Sequence, residues 1–236
     1  MVIRTFARFV LGAALMMGTA ACSRVQHVET APVGAIADAM PGVEKKAAPG
    51  PDDIKALISD LRNGGYVIVF RHAPTNRDQA DTNPLDFSDT THQRLLSDKG
   101  RELAGEIGNA FLALKIPVGK VYTSKYNRAI ETGELIGGGQ VTPTLDVTEG
   151  GVVATPIEND RRAAALKELV ATAPAAGTNT IVVTHKPNLI DAFGGDWAAS
   201  KEAEAGVFKP NGKTAALVAR VQASDWIKIS TPSLYH

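Results

Sequence analysis

The chain has 236 residues and carries 25 lysines and arginines against 25 aspartates and glutamates, so its formal net charge is zero. Hydrophobic residues make up 44% of the sequence and charged residues 21%, which excludes a disordered, collagen-like or multi-span membrane protein. The balanced charge gives no basic field that would favour nucleic acid as a partner. The one cysteine excludes an intrachain disulfide and a C-x-x-C pair.

The N-terminus has the composition of a bacterial export signal. Two arginines precede an apolar segment, 9–17, that is too short to span a bilayer, and small residues follow it. Residues 19–22 resemble a lipobox, although Thr stands where Leu, Val or Ile is usual. We therefore expect a lipoprotein-type signal peptide, 1–22, that ends at Cys22, and a lipid on Cys22 that anchors an exported, periplasmic protein to the membrane. The alternative is plain secretion with cleavage near Ala21 and a free thiol.

Residues 23–51 are rich in Ala, Val, Pro and Gly and show no clean hydrophobic period. This composition is typical of a flexible tether that holds a folded domain away from a membrane surface. The alternative is an N-terminal arm that packs on the domain. We expect the folded domain itself to span 52–236.

Hydrophobic periodicity in this domain predicts helices that alternate with short strands. The predicted helices span 54–62, 98–114 with Ser97 as its cap, 127–136 and 158–171. The predicted strands span 66–70, 121–123, 180–184, 206–210 and 215–221, and the last two form a hairpin joined by Asn211-Gly212. A long polar loop, 73–94, separates the first strand from the second helix. The pattern predicts an α/β fold: a three-layer α/β/α sandwich with a mostly parallel central sheet.

Cationic and imidazole side chains follow the strands of this predicted sheet. The first long strand leads into Arg71 and His72, another ends at His185, and the short strand between them leads to Arg128 at the start of a helix. In such sheets the ligand lies beyond the carboxyl ends of the strands. Arginine binds phosphate or carboxylate with two parallel hydrogen bonds, and a neutral imidazole can act as a nucleophile. The residues therefore suit a phosphoryl group in an electropositive pocket, with one histidine attacking phosphorus.

Four segments in this order resemble the histidine phosphatase superfamily, which is phosphoglycerate mutase-like. They are Phe70-Arg71-His72-Ala73, Leu96-Ser97-Asp98-Lys99-Gly100-Arg101, Tyr122-Thr123-Ser124 leading to Arg128, and Val183-Thr184-His185. The resemblance covers about 66–193. It implies that His72 is the phosphorylated nucleophile, that Arg71, Arg128 and His185 complete the phosphate pocket, and that Thr75 or Asn76 adds a phosphate contact. The sequence departs from the family at Ala73, where glycine is usual.

The resemblance also implies a carboxylic acid between the second arginine and the second histidine. It would protonate the leaving alkoxide and then activate water. The candidates are Asp146, Glu149 and Glu158. Glu149 precedes two glycines in a loop that can approach the site, whereas Glu158 opens a helix, where it also complements the helix dipole. We favour Glu149, followed by Glu158.

The resulting expectation is a metal-independent phosphomonoesterase that uses no cofactor, works through phosphohistidine and acts on a small-molecule or glycolipid phosphate ester of the envelope or periplasm. His72, His92 and His185 could in principle bind zinc, but the flanking arginines would repel a cation. Mutase chemistry would need a cytoplasmic pool of bisphosphoglycerate, which an exported chain would not meet. The candidate substrates are a sugar phosphate, a phosphoprotein or a lipopolysaccharide-type phosphate, since the chain also resembles periplasmic enzymes that remove heptose phosphate from the lipopolysaccharide core. The alternative is a non-catalytic envelope lipoprotein that binds a phosphate ligand.

Overall fold

The computed structural model of the chain describes residues 51–151 and 153–231. The expected signal peptide, Cys22 and most of the expected tether lie outside the described residues. The helices are α1 (Pro51–Arg62), α2 (Asp98–Ala113), α3 (Asn127–Gly137), α4 (Pro156–Ala171), α5 (Lys186–Phe193) and α6 (Ala223–Ser230). The strands are β1 (Val67–Arg71), β2 (Val118–Thr123), β3 (Thr142–Pro143), β4 (Asn179–Thr184), β5 (Ala205–Pro210) and β6 (Ala215–Val221).

The strands form one sheet with the order β3-β2-β4-β1-β5-β6. The pairs β3–β2, β2–β4 and β4–β1 are parallel, whereas β1–β5 and β5–β6 are antiparallel. The parallel strands are joined through helices, as parallel neighbours require a crossover connection. Their carboxyl ends therefore meet at one edge of the sheet, close to where β5 begins, because Ala205 pairs with Phe70.

Side chains of β1 alternate between two separate apolar cores. Ile68 and Phe70 pack in a core that contains residues of α1, α2, α3 and α6, while Val67 and Val69 pack in a second core with residues of α4 and α5. All four of these β1 side chains are fully buried. A strand covered on both faces reads as a continuous apolar run, which is what the sequence shows. The predicted three-layer α/β/α sandwich with a mostly parallel sheet is confirmed.

Short elements account for most differences from the predicted secondary structure. The sequence did not predict β3, α5 or α6, which have two, eight and eight residues. Such lengths hold too few residues for a clear period. The predicted hairpin forms as β5 and β6, with β6 at its predicted bounds, and Asn211 N donates to Thr214 O at 2.9 Å across the connection that contains Asn211-Gly212.

Gly100, in the first turn of α2, allows this helix to touch the chain just beyond His72. Ser97 caps the helix by accepting a hydrogen bond from Gly100 N at 3.1 Å, and Ser97 N donates to Pro74 O at 3.1 Å. A Cβ atom on Gly100 would lie 2.0 Å from Pro74 O, which is backbone and cannot rotate away. Because Gly100 has no side chain, the start of α2 can approach the segment after β1 this closely.

We expect Gly100→Ala to lower the free energy of unfolding by about 2 kcal/mol or more, because overpacking against backbone forces the helix and the 72–75 segment apart. Gly105, in the same helix, is the matched control because an added Cβ would meet nothing within 4 Å. Gly105→Ala is expected to raise stability by about 0.5–1 kcal/mol, since alanine favours helix. Urea denaturation of both variants checks the pair. Equal stability of Gly100→Ala and the unsubstituted chain would contradict the close approach.

Candidate active site

The two predicted histidines meet at the carboxyl ends of neighbouring parallel strands. Arg71 pairs with Thr184 in the register of β1 and β4, so the residues that follow, His72 and His185, lie side by side. Their ring centroids are 5.2 Å apart, with 59° between the ring planes. The backbone fixes this arrangement, because His72 N donates to Thr184 O at 3.0 Å. Both histidines are buried, with 2% and 1% of their surface exposed.

The hydrogen bond of His72 determines which of its ring nitrogens can react. Nδ1 lies 2.8 Å from Ala73 O, and a carbonyl oxygen can only accept a hydrogen bond. A neutral His72 therefore carries its proton on Nδ1 and keeps the lone pair on Nε2. Burial, together with the nearby His185 and Arg128, holds the pKa of His72 well below its ordinary value. At neutral pH the ring is an uncharged imidazole with an available nucleophilic nitrogen.

A serine that follows β2, the strand next to β4, makes a hydrogen bond with the ring of His185. Its Nε2 lies 2.7 Å from Ser124 Oγ, and Ser124 is fully buried at the end of β2. Burial and the charges of Arg128, Arg94 and Arg71 hold the pKa of His185 well below its ordinary value. The Tyr126 ring stands edge-on to the imidazole at a centroid distance of 5.4 Å. The ring of His185 is therefore fixed on two sides.

Arg128 lies at the centre of the charged groups around the histidines. It is the second residue of α3 and is fully buried. Its Nη1 donates to Asp81 Oδ1 at 2.9 Å, its Nη2 donates to Glu149 Oε1, and its guanidinium carbon lies 4.1 Å from the centre of the Tyr126 ring. Two carboxylates thus neutralise one buried guanidinium.

Of the candidate acids, Glu149 is the one that the structure brings into contact with His185. Its Oε1 lies 3.3 Å from His185 Nδ1, in addition to its contact with Arg128, and its side chain is 18% exposed. The loop that carries Glu149 packs tightly on the start of α4: a Cβ on Gly150 would lie 2.2 Å from Asn159 Oδ1 and 2.4 Å from Ala154 Cβ. Gly150 therefore permits the approach that places Glu149 at the site.

Glu158 and Asp146 are engaged elsewhere. Glu158 accepts hydrogen bonds from Arg161 Nε and Arg162 Nε, both at 2.8 Å, and these guanidinium groups lower the pKa of its carboxyl to about 2. Asp146 accepts from Arg161 Nη1 at 2.7 Å. The structure therefore does not bring Glu158 or Asp146 into contact with His72 or His185. The Glu158 carboxyl, whose pKa is lowered in this way, is a poor proton donor.

Arg71 is at the mouth of the site. Its Nη1 donates to Ser200 O at 2.7 Å, its Nη2 lies 3.6 Å from Glu202 Oε1, and its buried Nε has no hydrogen-bond partner in the described structure. Burial lowers the pKa of this guanidinium from its ordinary value; Glu202 opposes the shift and Arg94 adds to it. The guanidinium thus keeps an unsatisfied donor, and its charge contributes to the lowered pKa of His72.

Thr75 and Asn76, which were expected to add a phosphate contact, instead make hydrogen bonds to the segment that precedes α2. Asn76 Nδ2 donates to Leu96 O at 3.3 Å, and Thr75 Oγ1 accepts from Arg94 Nη1 at 2.9 Å. These bonds pair the segment after β1 with the segment before α2, which also form a bridge between Thr75 and Leu96. The structure does not place the Asn76 amide on either histidine.

Three residues at the site were not predicted from the sequence. Asp81 accepts a hydrogen bond from Arg128, and Ser124 Oγ lies within hydrogen-bond distance of His185 Nε2. Arg94 donates to Thr75, and its positive charge helps to lower the pKa of Arg71. Asp81 and Arg94 lie in the polar loop 73–94, where no period or motif marks any position. Ser124 did have a signal, since it directly follows β2 beside β4, at the same edge of the sheet as the histidines.

We expect the stability of the domain to fall as the pH drops below about 6.5, where unfolded histidines take up a proton. In the folded chain the pKa values of His72 and His185 lie well below 6.5, so both rings stay neutral while the unfolded chain takes up protons. The stabilisation that these two neutral histidines contribute is therefore complete above pH 6.5 and is lost as the pH falls below it. Each adds a slope of about 1.4 kcal/mol per pH unit. Urea denaturation between about pH 5 and 8 measures it. His72→Gln should remove about half of the combined slope, and an unchanged slope would contradict the neutral buried state of His72.

No described helix is long and apolar enough to cross a membrane. Within residues 51–151 and 153–231, no three His, Cys, Asp or Glu side chains are grouped as a metal would need. His92, one of the histidines weighed for zinc, is exposed in the loop, with Nδ1 2.6 Å from Asp89 Oδ2.

Comparison with known proteins gave similarity to solved structures only. No family model and no curated protein matches the chain. The protein histidine phosphatase SixA complexed with tungstate has 17% identity and a TM-score of 0.46, with 68% of this chain and 98% of that chain covered. Phosphoglycerate mutase from Bacillus anthracis has 16% identity and a TM-score of 0.46, with 72% and 98% covered. Phosphoserine phosphatase from Entamoeba histolytica, in complex with 3-phosphoglyceric acid, has 12% identity and a TM-score of 0.47, with 68% and 98% covered.

Proposed function

We propose that this chain is a metal-independent phosphomonoesterase that works through a phosphohistidine on His72. The observation that carries the proposal is the meeting of His72 and His185 at adjacent strand ends, 5.2 Å apart, with Arg128 and Glu149 in contact beside them. Separate segments of the chain supply these groups, and each has the chemistry that phosphoryl transfer requires.

In the first step, Nε2 of His72 attacks phosphorus and the bond between phosphorus and the ester oxygen breaks. Glu149 gives its proton to the departing alkoxide, so that the alcohol leaves neutral. Arg71, Arg128 and His185 donate hydrogen bonds to the three equatorial oxygens, whose charge must be stabilised in the transition state.

In the second step, water replaces the alcohol. Glu149, now a carboxylate, takes a proton from the water, the water oxygen attacks phosphorus, and the bond from phosphorus to Nε2 breaks. Inorganic phosphate leaves and His72 regains its lone pair. The hydrogen bond from Nδ1 to Ala73 O keeps the same tautomer in place for the next cycle.

Hydrolysis of p-nitrophenyl phosphate by the purified chain in the presence of EDTA tests this function. We expect turnover, because the groups that bind and transfer phosphate all come from the protein. A folded protein without turnover would oppose the phosphatase and favour the non-catalytic alternative, a lipoprotein that binds a phosphate ligand. Calorimetric titration with a phosphate ester would then decide whether the site binds without reacting.

We propose in addition that the enzyme acts in the bacterial envelope, anchored by a lipid on Cys22. The support is the sequence of the N-terminus: a short apolar segment after two arginines, small residues and a lipobox-like ending. An envelope position makes sugar phosphates, phosphoproteins and lipopolysaccharide phosphates, including heptose phosphate of the core, the candidate substrates. Incorporation of labelled palmitate that is lost in Cys22→Ser would support the anchor, and incorporation that persists in Cys22→Ser would oppose it.

A further inference from the structure

Glu204, a buried carboxylate, lies directly before β5, the strand that flanks β1 on the side away from β4. Its side chain is only 3% exposed. Oε1 accepts a hydrogen bond from Arg220 Nε at 2.6 Å and also contacts Nη2 of that guanidinium, while Oε2 accepts from Lys201 N at 2.9 Å. Both oxygens of this carboxylate are therefore paired, as a buried charge requires.

Arg220 is held by groups other than Glu204. It lies on β6, where it pairs with Gly206 of β5, and its Nη1 donates to Asp196 O at 2.9 Å. Its guanidinium carbon lies 4.3 Å from the centre of the Trp197 ring, which is buried. A guanidinium over an aromatic face is attracted by the ring. The sheet and a buried aromatic side chain therefore fix the partner of Glu204.

The 200–204 turn, which ends at Glu204, contacts both the backbone and the guanidinium of Arg71. Arg71 N donates to Glu204 O at 3.0 Å, and Ala203 N donates to Arg71 O at 3.2 Å. The guanidinium is held separately, because Arg71 Nη1 donates to Ser200 O at 2.7 Å. The position of this guanidinium therefore depends on where the turn places Ser200.

Backbone strain in this turn indicates that its shape is imposed by its contacts. Ala203 has a φ of 61°, in the left-handed region that alanine rarely adopts, and it is fully buried. Such a conformation persists only where the surrounding structure holds it. Ala203 N also donates to His72 O at 3.1 Å, and the Glu204 carboxylate bonds Lys201 N across the turn. Loss of this carboxylate is therefore expected to let the turn relax.

The charge of Arg71 acts on both histidines of the site. Burial is the largest cause of the lowered pKa of His72 and of His185, and the positive charge of Arg71 adds to both shifts. Burial also lowers the pKa of the Arg71 guanidinium, and the negative charge of Glu204 is among those that oppose this shift. Arg71 therefore interacts with Glu204 as well as with the two histidines.

We propose that Glu204 is a positioning residue for phosphate binding. Its carboxylate, paired with Arg220, fixes the 200–204 turn. Ser200 O in that turn then keeps the Arg71 guanidinium in the place where it binds the phosphoryl group. The inference rests on the proposed function, in which Arg71 donates to one of the equatorial oxygens. A planar guanidinium presents its donors in a fixed fork, so a change in its orientation weakens the hydrogen bonds to phosphate.

Calorimetric titration of the purified chain with tungstate, a tetrahedral oxyanion like phosphate, tests the inference without turnover. We expect Glu204→Gln to raise the dissociation constant about tenfold, which corresponds to the loss of one charge-assisted hydrogen bond to the anion. Arg220→Lys is a second variant, at a side chain that is 27% exposed, and it keeps the charge but loses the fork of donors. It should weaken binding by about threefold or more. Unchanged affinity in the folded variants would overturn the inference.

Glu131→Gln is the matched control. Glu131 Oε1 accepts from Arg101 Nε at 2.6 Å, the same distance as in the pair of Glu204 and Arg220, but this bond joins α3 to α2. We expect Glu131→Gln to bind tungstate as tightly as the unsubstituted chain. Equal weakening in this control would mean that loss of any such ion pair has the same effect, and the positioning role of Glu204 would be wrong.

A double-mutant cycle distinguishes positioning from a merely structural role. Arg71→Gln should weaken tungstate binding by itself. Adding Glu204→Gln to it should then change the dissociation constant by less than about twofold, because the side chain through which Glu204 acts is gone. Losses that multiply in the double variant, or full affinity in Arg71→Gln, would contradict the proposed connection between the two residues.

Binding and turnover together separate this inference from the proposed function. The kcat/KM for p-nitrophenyl phosphate, measured alongside, should fall in Glu204→Gln by the same factor as the affinity for tungstate. If the chain hydrolyses no ester but Glu204→Gln weakens tungstate binding through Arg71, the positioning role stands and only the phosphatase fails. If the unsubstituted chain is a phosphatase and Glu204→Gln leaves its kcat/KM unchanged, the phosphatase stands and the positioning role fails.

Discussion

Replacing His72 with alanine is expected to lower turnover of phosphate esters by about 10⁴-fold or more, since loss of a covalent nucleophile removes the reaction path itself. Arg71, Arg128 and His185 can still bind the ester, but none of them takes the position from which Nε2 of His72 attacks phosphorus. The rate of p-nitrophenol release in EDTA measures the effect. Activity that persists in His72→Ala would contradict the assignment of His72 as the nucleophile.

The His72 result has to be separated from unfolding. The His72 ring makes a hydrogen bond only to its own neighbour, Ala73 O, in the described structure, so we expect the variant to keep its fold by circular dichroism. His72→Asn is a second variant, whose amide can donate to a carbonyl but cannot be phosphorylated as imidazole is. His92→Ala is the matched control, because His92 is exposed and pairs with Asp89 in the loop. It should retain turnover.

Glu149→Gln is expected to lower kcat/KM for alkyl phosphates by about 10²-fold or more, which is the contribution of a positioned general acid. The same change should lower kcat/KM for p-nitrophenyl phosphate by less than about tenfold, since p-nitrophenolate leaves with little protonation. The parameter kcat/KM reports the step up to phosphoryl transfer, so a slower attack of water in the second step does not obscure the comparison.

Glu158→Gln distinguishes the two carboxyls that the sequence left as candidates. Its carboxylate is held by Arg161 and Arg162, so we expect both esters to be hydrolysed at nearly the original rate. If Glu149→Gln slows both esters equally, proton donation belongs to another group. If Glu158→Gln instead slows alkyl phosphates selectively, Glu158 is that group.

The central strands were predictable because burial on both faces leaves a clear trace in the sequence. Val67 to Phe70 and Ile181 to Val183 are continuous apolar runs, and all of them are fully buried. The capped helix α2 was equally visible, with Ser97 before an apolar stripe. By contrast, α5 begins directly after His185 without a capping side chain, and its eight residues give no full pattern.

The site was predictable where it depends on strand ends and not where it depends on the loop. His72 and His185 follow two apolar strands, and the rule that ligands lie at the carboxyl ends of parallel strands brings them together. Asp81 reaches Arg128 across 47 positions of sequence, from a loop with no period. Tertiary contacts alone select Asp81 from the several acids of that loop, so local sequence could not identify it.

The most direct test of the central claim is the detection of phosphate on His72 itself. The Glu149→Gln protein is mixed with p-nitrophenyl phosphate in EDTA and quenched in alkali, where phosphohistidine is stable, because this variant should form the intermediate and hydrolyse it slowly. Peptide mapping by mass spectrometry then locates the phosphate. We predict phosphate on His72 and none in the protein that also carries His72→Ala. Phosphate on another residue, or turnover that never labels His72, would contradict the account.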